Sequence, residues 1–531
     1  MSTIDRYSAG NATFRVRDLP PTMPLVLPVT RKLGLIDIVD RYCPMKDGDH
    51  VTNGEAFEFM VLHILQAPHR LPLYDLRPWA MRYNVSAIYG KPESKFNDHR
   101  MGRMLDAVYE HMTDIQSALV TRALQAYDVD ARIVHWDLTS ILFSDARQQT
   151  EYICKGYGGG RIHQRQVQLD MAVSNQGGIP VRYQVVSGKA HQSPLVSPLL
   201  DDLKQRVRPS DLVVVADRAG INYETVAVFR KAKAHFLGAI SVLGDNQKRR
   251  LAEVPVHKFT PLRYRSINAP DDCTYAYATT VRLQPQRQDT PVRVQALFIY
   301  SPRREQMDQE QRNDKIAKAQ ARLDDIHSKA QNPNARQYKS RPYTQARIDR
   351  AIPHDLKGII GYELTAGDDG HLSLRHWIND KALQQAARGD GRYILIHNLS
   401  GNPTPDEVFE LYRGQGTIES RFRNFKQELS VHPLWLKKQT RILALLLIFV
   451  AALTVYSLID LLSRRAKLRT ARYNVMTTRE LMKRFSVLRL VSTRVTGQPW
   501  HNQIQINDEQ RDILRLIGCP DPIRYIVQDT S

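Results

Sequence analysis

One stretch limits the fold more than any other. Ile442 to Ile459 reads ILALLLIFVAALTVYSLI, with Arg441 before it and Arg464 and Arg465 after it. A helix apolar on every side either crosses a bilayer or fills the centre of a large soluble domain. Thr454, Tyr456 and Ser457 dilute its second half, and no other stretch of the chain looks membranous. The run is therefore read as a buried core helix, and no membrane partner is expected. At 531 residues the chain can form several domains or one large core with insertions. No low-complexity tract or short repeat is visible, which excludes solenoids and coiled-coil rods.

Charge narrows the partners. Lys and Arg number 75 against 55 Asp and Glu, a net charge of +20. So basic a chain attracts polyanions, nucleic acid first among them. Cys43, Cys154, Cys273 and Cys519 lie far apart in sequence, so neither a zinc knuckle nor a disulfide framework is expected, and a reducing cytoplasm fits. The N-terminal MSTIDRYSAGNATFRVRDLP lacks an apolar h-region, so export is not expected.

The texture of the chain changes along its length. Residues 1–128 read as helical, with Asn53 as the cap of a helix over GEAFEFMVLHILQ and with Met101, Met104, Leu105 and Val108 facing inward on another. Strands are expected at 131–144, 165–174 and 179–188, the last two joined at Gly177-Gly178. SPLLDDLKQRV reads as a helix capped by Ser197 with Pro198 at its first position, and DLVVVADR as a short central strand. A helix over YETVAVFRKAKA and a strand over HFLGAISV follow. Strands in a meander followed by strand–helix alternation make an α/β class with a mixed sheet. Residues 245–388 interrupt this pattern with hairpin strands, a polar helix over SPRREQMDQEQRNDKIAKAQARLDDIHSKA and a basic stretch expected to be mobile, QNPNARQYKSRPYTQARIDRA. The expected organisation is a helical N-terminal region (1–128), a core in two parts (129–244 and 389–465), an insertion (245–388) and a helical C-terminal region (466–531).

Two acidic residues stand where a core would not put them. Asp137 lies inside IVHWDLTSILF, and Asp217 closes the run LVVVAD at the carboxyl end of its strand, where α/β sheets bind ligands. A buried carboxylate is costly unless paired or metal-bound. Either alone could cap a turn or pair with a neighbour such as Arg218. Glu419 changes the balance. On a helix, Ile418, Phe422, Phe425 and Leu429 form an apolar stripe, and Glu419, Arg423 and Lys426 a second stripe beside it. An ordinary Glu–Arg pair would explain that helix but not the two aspartates. Three carboxylates suit two Mg²⁺ ions, which take hard oxygen ligands and together activate a hydroxyl and stabilise the leaving oxygen of a phosphodiester. Arg423 and Lys426 would then contact phosphate. A glycosidase-like carboxylate pair fits less well, because the charge and the cationic stripe favour a phosphate substrate.

These residues resemble the DDE transposases of bacterial insertion sequences, in the group marked by a Tyr, Arg, Glu, Lys signature on the last catalytic helix. The signature places Tyr, two residues, Arg, three residues, Glu, six residues and Lys. Tyr412, Glu419 and Lys426 match it, while Gln415 occupies the Arg position, with Arg413 and Arg423 as the residues to take over its phosphate contact. HWDLTS resembles the first-Asp strand, VVVADRAGI the second, and NDHRMGRMLDAVYEH the helical N-terminal region. The resemblance implies an RNase-H-like catalytic core with a β-rich insertion and an N-terminal region for DNA binding or dimerisation. It implies two Mg²⁺ or Mn²⁺ ions, with Asp137 touching both and Asp217 and Glu419 one each. It further implies a homodimer or higher synapse on double-stranded DNA, cutting at terminal inverted repeats and joining the 3′-OH ends to target DNA in a bacterial cytoplasm, on the nucleoid. Trp377 is the insertion's candidate to stack on a flipped base, with a place in the core as the competing role. A catalytically silent DNA-binding relative is the alternative, against which the three carboxylates stand.

Overall fold

The computed structural model describes residues 5–9, 11–66, 76–143, 150–156, 164–240, 245–265, 271–283, 291–367, 371–431, 436, 438–470 and 475–527. The chain divides into two compact units. One comprises Met1–Gly220, Ala227–His235 and Arg413–Ser531, the other Ile221–Val226 and Phe236–Tyr412.

Four strands build most of the central sheet of the first unit, β1 (Ile133–Leu142), β2 (Arg165–Ser174), β3 (Pro180–Ser187) and β4 (Val213–Ala216), with the two-residue strand Cys154–Lys155 paired to the start of β2. They lie in the order β3-β2-β1-β4, with β4 parallel to β1 and the other pairings antiparallel. The pairing follows from the connections. Gly177 and Gly178, both at positive φ (79° and 61°), turn β2 directly into β3. The route from β3 to β4 passes through the helix Val196–Leu203, the kind of crossover a parallel neighbour requires. This is the expected mixed sheet, in the strand order of an RNase-H-like core.

The apolar run forms the helix Gln439–Arg465, buried throughout Ile442–Leu461. It packs against the helices Asp98–Glu110, Asn53–Ile64, Met23–Leu33, Met112–Ala126 and Thr478–Arg484 and against β3. Length and composition would let it cross a membrane, yet its whole apolar window is enclosed by protein. Its first turn is fixed by Arg441 and Lys438, whose side chains reach Asp106 at 2.6 and 2.9 Å. Arg441 passes where a Cβ on Gly102 would lie 2.9 Å from its guanidinium.

The two ends of the chain are less purely helical than their sequences suggest. Asp5–Ala9, Ala12–Asp18, Arg489–Val495 and His501–Gln505 form one four-stranded antiparallel sheet. Ala12–Asp18 pairs with Arg489–Val495 along its whole length. Neither strand is legible alone, because each is short and charged and becomes a strand only beside a partner far away in sequence. Two caps also differ from expectation. Thr52, not Asn53, caps the helix Asn53–Ile64, in a capping box with Glu55. Asn53 is buried one residue inside, donating to the Cys43 carbonyl and accepting from Arg100. Likewise the helix over SPLL begins at Val196, on a 3₁₀ turn over Ser193–Leu195, so Ser197 lies inside it.

In the second unit His235–Ile240, Arg392–His397, Val292–Tyr300, Tyr275–Leu283 and Thr260–Pro261 lie side by side, each antiparallel to the next. The strands expected as an insertion hairpin thus extend a sheet. Ala296, Leu297, Phe298 and Ile299 are all buried, a demand that a two-stranded hairpin cannot meet. A separate apolar cluster lies beyond it. The long polar helix Pro302–Gln331 buries only Ile316, Ala319, Leu323, Ile326 and Ala330, against the hairpin Ile360–Ala366/Leu372–Ile378 and the helix Arg341–Ala351. That last helix occupies the second half of the basic stretch for which sequence suggested mobility and no element. Its buried Thr344, Ile348 and Ala351 have helical spacing that the surrounding charge conceals.

Candidate active site

Asp137 occupies the middle of β1, and Asp217 follows the last residue of β4. The parallel register aligns Trp136 with Ala216, and in each chain segment the next residue is an aspartate. Each is held by local donors. Asp137 Oδ1 accepts from the Leu138 amide and from Gln192 Nε2, both at 2.7 Å. Asp217 Oδ1 accepts from the amides of Ala219 and Gly220 at 2.9 and 3.2 Å. That turn is tight, for a Cβ on Gly220 would lie 2.9 Å from the Trp136 ring. For both aspartates the second oxygen has no hydrogen bond among the described residues.

Glu419 sits in the first turn of the helix Gly416–Arg423, exposed, while Ile418 and Phe422 on the same helix are buried. Phe425 and Leu429 complete the apolar stripe. The α-helix does not run straight through the cationic stripe, however. Asn424–Glu428 forms a π-helical turn, closed by the Leu429 amide on the Asn424 carbonyl at 2.9 Å. The turn alters the simple i, i+7 relation between Glu419 and Lys426, and such insertions concentrate at functional sites.

Electrostatics ties these residues together. The Asp137 carboxyl is pushed up to about 7, first by burial, then by the charges of Asp217 and Glu419. Lys426 is half-buried; burial lowers its ammonium pKa, and the nearby Asp137 opposes that shift. Asp137, Asp217, Glu419 and Lys426 are therefore electrostatic neighbours. Among the described residues, no three His, Cys, Asp or Glu side chains form a closed metal-holding cluster. The donor set nevertheless suits a hard divalent cation, being all carboxylate oxygen with a mutual repulsion that a cation would relieve.

The other expected residues are placed differently. Arg423 and Arg413 are exposed on the first unit. Tyr412 and Trp377 belong to the second. Trp377 is 46% exposed, its ring laid against its cross-strand partner Gly361, where a Cβ would come within 2.5 Å of the indole. It is thus neither a core residue nor a freely projecting one.

Gln415, which stands where the signature places Arg, is buried, and its Nε2 donates to the Trp136 carbonyl at 3.3 Å. It also faces His135, whose imidazole is held below its usual pKa by burial, with Asn175 and Gln415 opposing. A side chain so placed is turned inward and not presented to solvent. It ties the start of the Glu419 helix to the residue before Asp137. Sequence reasoning missed this role, and its one signal was an uncharged residue at a position where a cation was expected.

The sequence model of the family described as Transposase DDE domain matches residues 122–455. This chain belongs to the DDE transposases. The matched stretch of the transposase contains Asp137, Asp217, Glu419 and Lys426 and most of the core helix. A domain of unknown function, DUF4277, matches residues 18–120 of the same transposase. No curated protein matches. Among solved structures, a cryo-EM structure of a piggyBac transposase synaptic complex with hairpin DNA covers 87% of this chain and 79% of its own, with 9% identity and a TM-score of 0.41.

Proposed function

We propose that this chain is a cut-and-paste transposase, acting on the terminal inverted repeats of its own insertion sequence. The observation that carries this reading is Asp137, a carboxylate in mid-strand whose pKa is raised by burial and by two further carboxylates, Asp217 and Glu419. A side chain so placed adds little to stability while ionised, and it suits a cation-holding role. Two Mg²⁺ or Mn²⁺ ions held by Asp137, Asp217 and Glu419 would supply activation of water or a 3′-OH and stabilise the leaving oxygen. Gln192 and the Leu138 amide fix the Asp137 oxygen they bond, and the Asp217 turn fixes the other aspartate. Lys426 adds positive charge beside Asp137 for the scissile phosphate, and Arg423 and Arg413 present forks to the flanking backbone. Tyr412 and Trp377 complete the DNA-contacting set, with the exposed indole available to stack on a flipped base. A synaptic dimer or higher assembly working on the nucleoid of a bacterial cytoplasm follows from this reading.

The test uses duplexes carrying the inverted repeats that bracket the reading frame. Wild-type protein should bind them in preference to scrambled duplex and, with Mg²⁺ or Mn²⁺, nick one strand at the element boundary. Binding without any cleavage, under every divalent metal tried, would instead mark a silent DNA-binding relative.

A further inference from the structure

The helix bearing Glu419 has a second polar anchor on its opposite face. Arg421 is buried, with 5% exposure. Its Nε donates to the Gly178 carbonyl at 3.1 Å, and its Nη2 to the Gly177 carbonyl at 2.7 Å. The same Nη2 pairs with Asp460 at 2.9 Å, and Nη1 bonds Asn424 Oδ1 at 3.2 Å. One guanidinium therefore joins the β2–β3 turn, the core helix and the start of the π-helical turn. The fit is close: a Cβ on Gly178 would lie 2.7 Å from Arg421 Nε and 2.8 Å from Thr417. Gly178 also has φ +61°, so both its conformation and its lack of a side chain serve this contact.

Arg421 lies two residues from Glu419, on the far side of the helix, and touches neither aspartate in any contact described above. We infer that Arg421, held by Asp460, is a positioning residue that fixes the rotation of the Glu419 helix and hence the aim of its carboxylate at the metal position beside Asp137. Gln415 pins the start of the helix to β1 and Arg421 pins its middle to the β2–β3 turn, so two fixed points define the rotation. The planar fork matters, because its fixed, spread donors reach two carbonyls, a carboxylate and the Asn424 amide oxygen at once. The inference rests on the metal-binding role proposed for Glu419.

The test is Arg421→Lys, with Arg421→Met, Arg464→Met and Glu419→Gln beside it in the full chain. Arg464 pairs with Asp460 at 3.1 Å and, among the described residues, has no hydrogen bond or ion pair to the Glu419 helix, so it controls for loss of an Asp460 partner. Each variant is read by thermal melting, by calorimetric Mn²⁺ binding and by strand cleavage against Mn²⁺ concentration. Arg421→Lys should fold, bind Mn²⁺ about 10–100-fold more weakly, as loss of an outer-shell partner does, and recover cleavage at high Mn²⁺. Arg464→Met should match wild type in both metal readouts. Arg421→Lys that is folded with wild-type Mn²⁺ affinity overturns the positioning role, as does Arg464→Met weakening Mn²⁺ to the same degree. If Arg421→Met fails to fold, Arg421→Lys alone decides. Glu419→Gln separates the two levels: if it keeps wild-type Mn²⁺ affinity, the glutamate assignment itself falls.

Discussion

At the scale of single residues the site is governed by the charges that Asp217 and Glu419 place on the buried Asp137. Asp137 has a folded pKa of about 7 against an ordinary 3.8. The folded, metal-free protein thus keeps a proton that the unfolded chain releases. This group's stabilising contribution is complete below about 3.8 and is lost as pH rises to about 7. Asp137→Asn should remove that part of the pH dependence, seen as a flatter plot of melting temperature between those limits. A variant with the wild-type slope would show that Asp137 does not titrate as described. Divalent metal should compete with the same proton, so Mn²⁺ affinity should rise with pH through about 7. Behind β1, Trp136 donates to Asp170, which pairs with the buried Arg182. Arg182→Met should cost about 3–5 kcal/mol by leaving Asp170 unpaired, measured by denaturant unfolding. Asp137 and Asp217 stood out in sequence because one interrupts an apolar run and the other closes one. Gln415 and Arg421 were not, since a buried polar side chain on a helix shows its purpose only when the facing carbonyls are known.

At the scale of elements, patterns that a single segment carries were legible, and those requiring a distant partner were not. The strands β1 to β4 and the core helix follow from local runs of apolar residues. The terminal sheet follows from nothing local, because Ala12–Asp18 has its long pairing partner some 470 residues away. Removing residues 1–18 should expose the edge of Arg489–Val495 and lower the melting temperature of the whole chain. An unchanged melting curve would mean the sheet contributes nothing to stability. The core helix makes the opposite case, packing on helices and a strand of its own unit. Leu446→Ala there, at a site with no exposure, should cost about 2–5 kcal/mol, read in the same unfolding experiment. The π-helical turn at Asn424–Glu428 was also invisible, because its sequence satisfies an α-helical stripe equally well.

At the scale of the whole molecule, a net charge of +20 suits a polyanionic partner, and the carboxylates Asp137, Asp217 and Glu419 suit the metal-dependent chemistry proposed for it. Lys426 and Arg423 connect the two properties. If they contact phosphate, Lys426→Ala or Arg423→Ala should weaken DNA binding equally for every sequence and flatten its salt dependence by about one unit of slope per lost contact. A surface ion-pair role predicts instead a stability change of about 0–1 kcal/mol and unaltered binding. If Asp137, Asp217 and Glu419 serve one metal-dependent reaction centre, strand cleavage at the inverted repeat will depend on all three, as measured for Asp137→Asn, Asp217→Asn and Glu419→Gln beside wild type. Each variant should bind the repeat as wild type does and cleave nothing at any Mg²⁺ or Mn²⁺ concentration. Full cleavage by any one of the three, at wild-type protein levels, would contradict a shared centre.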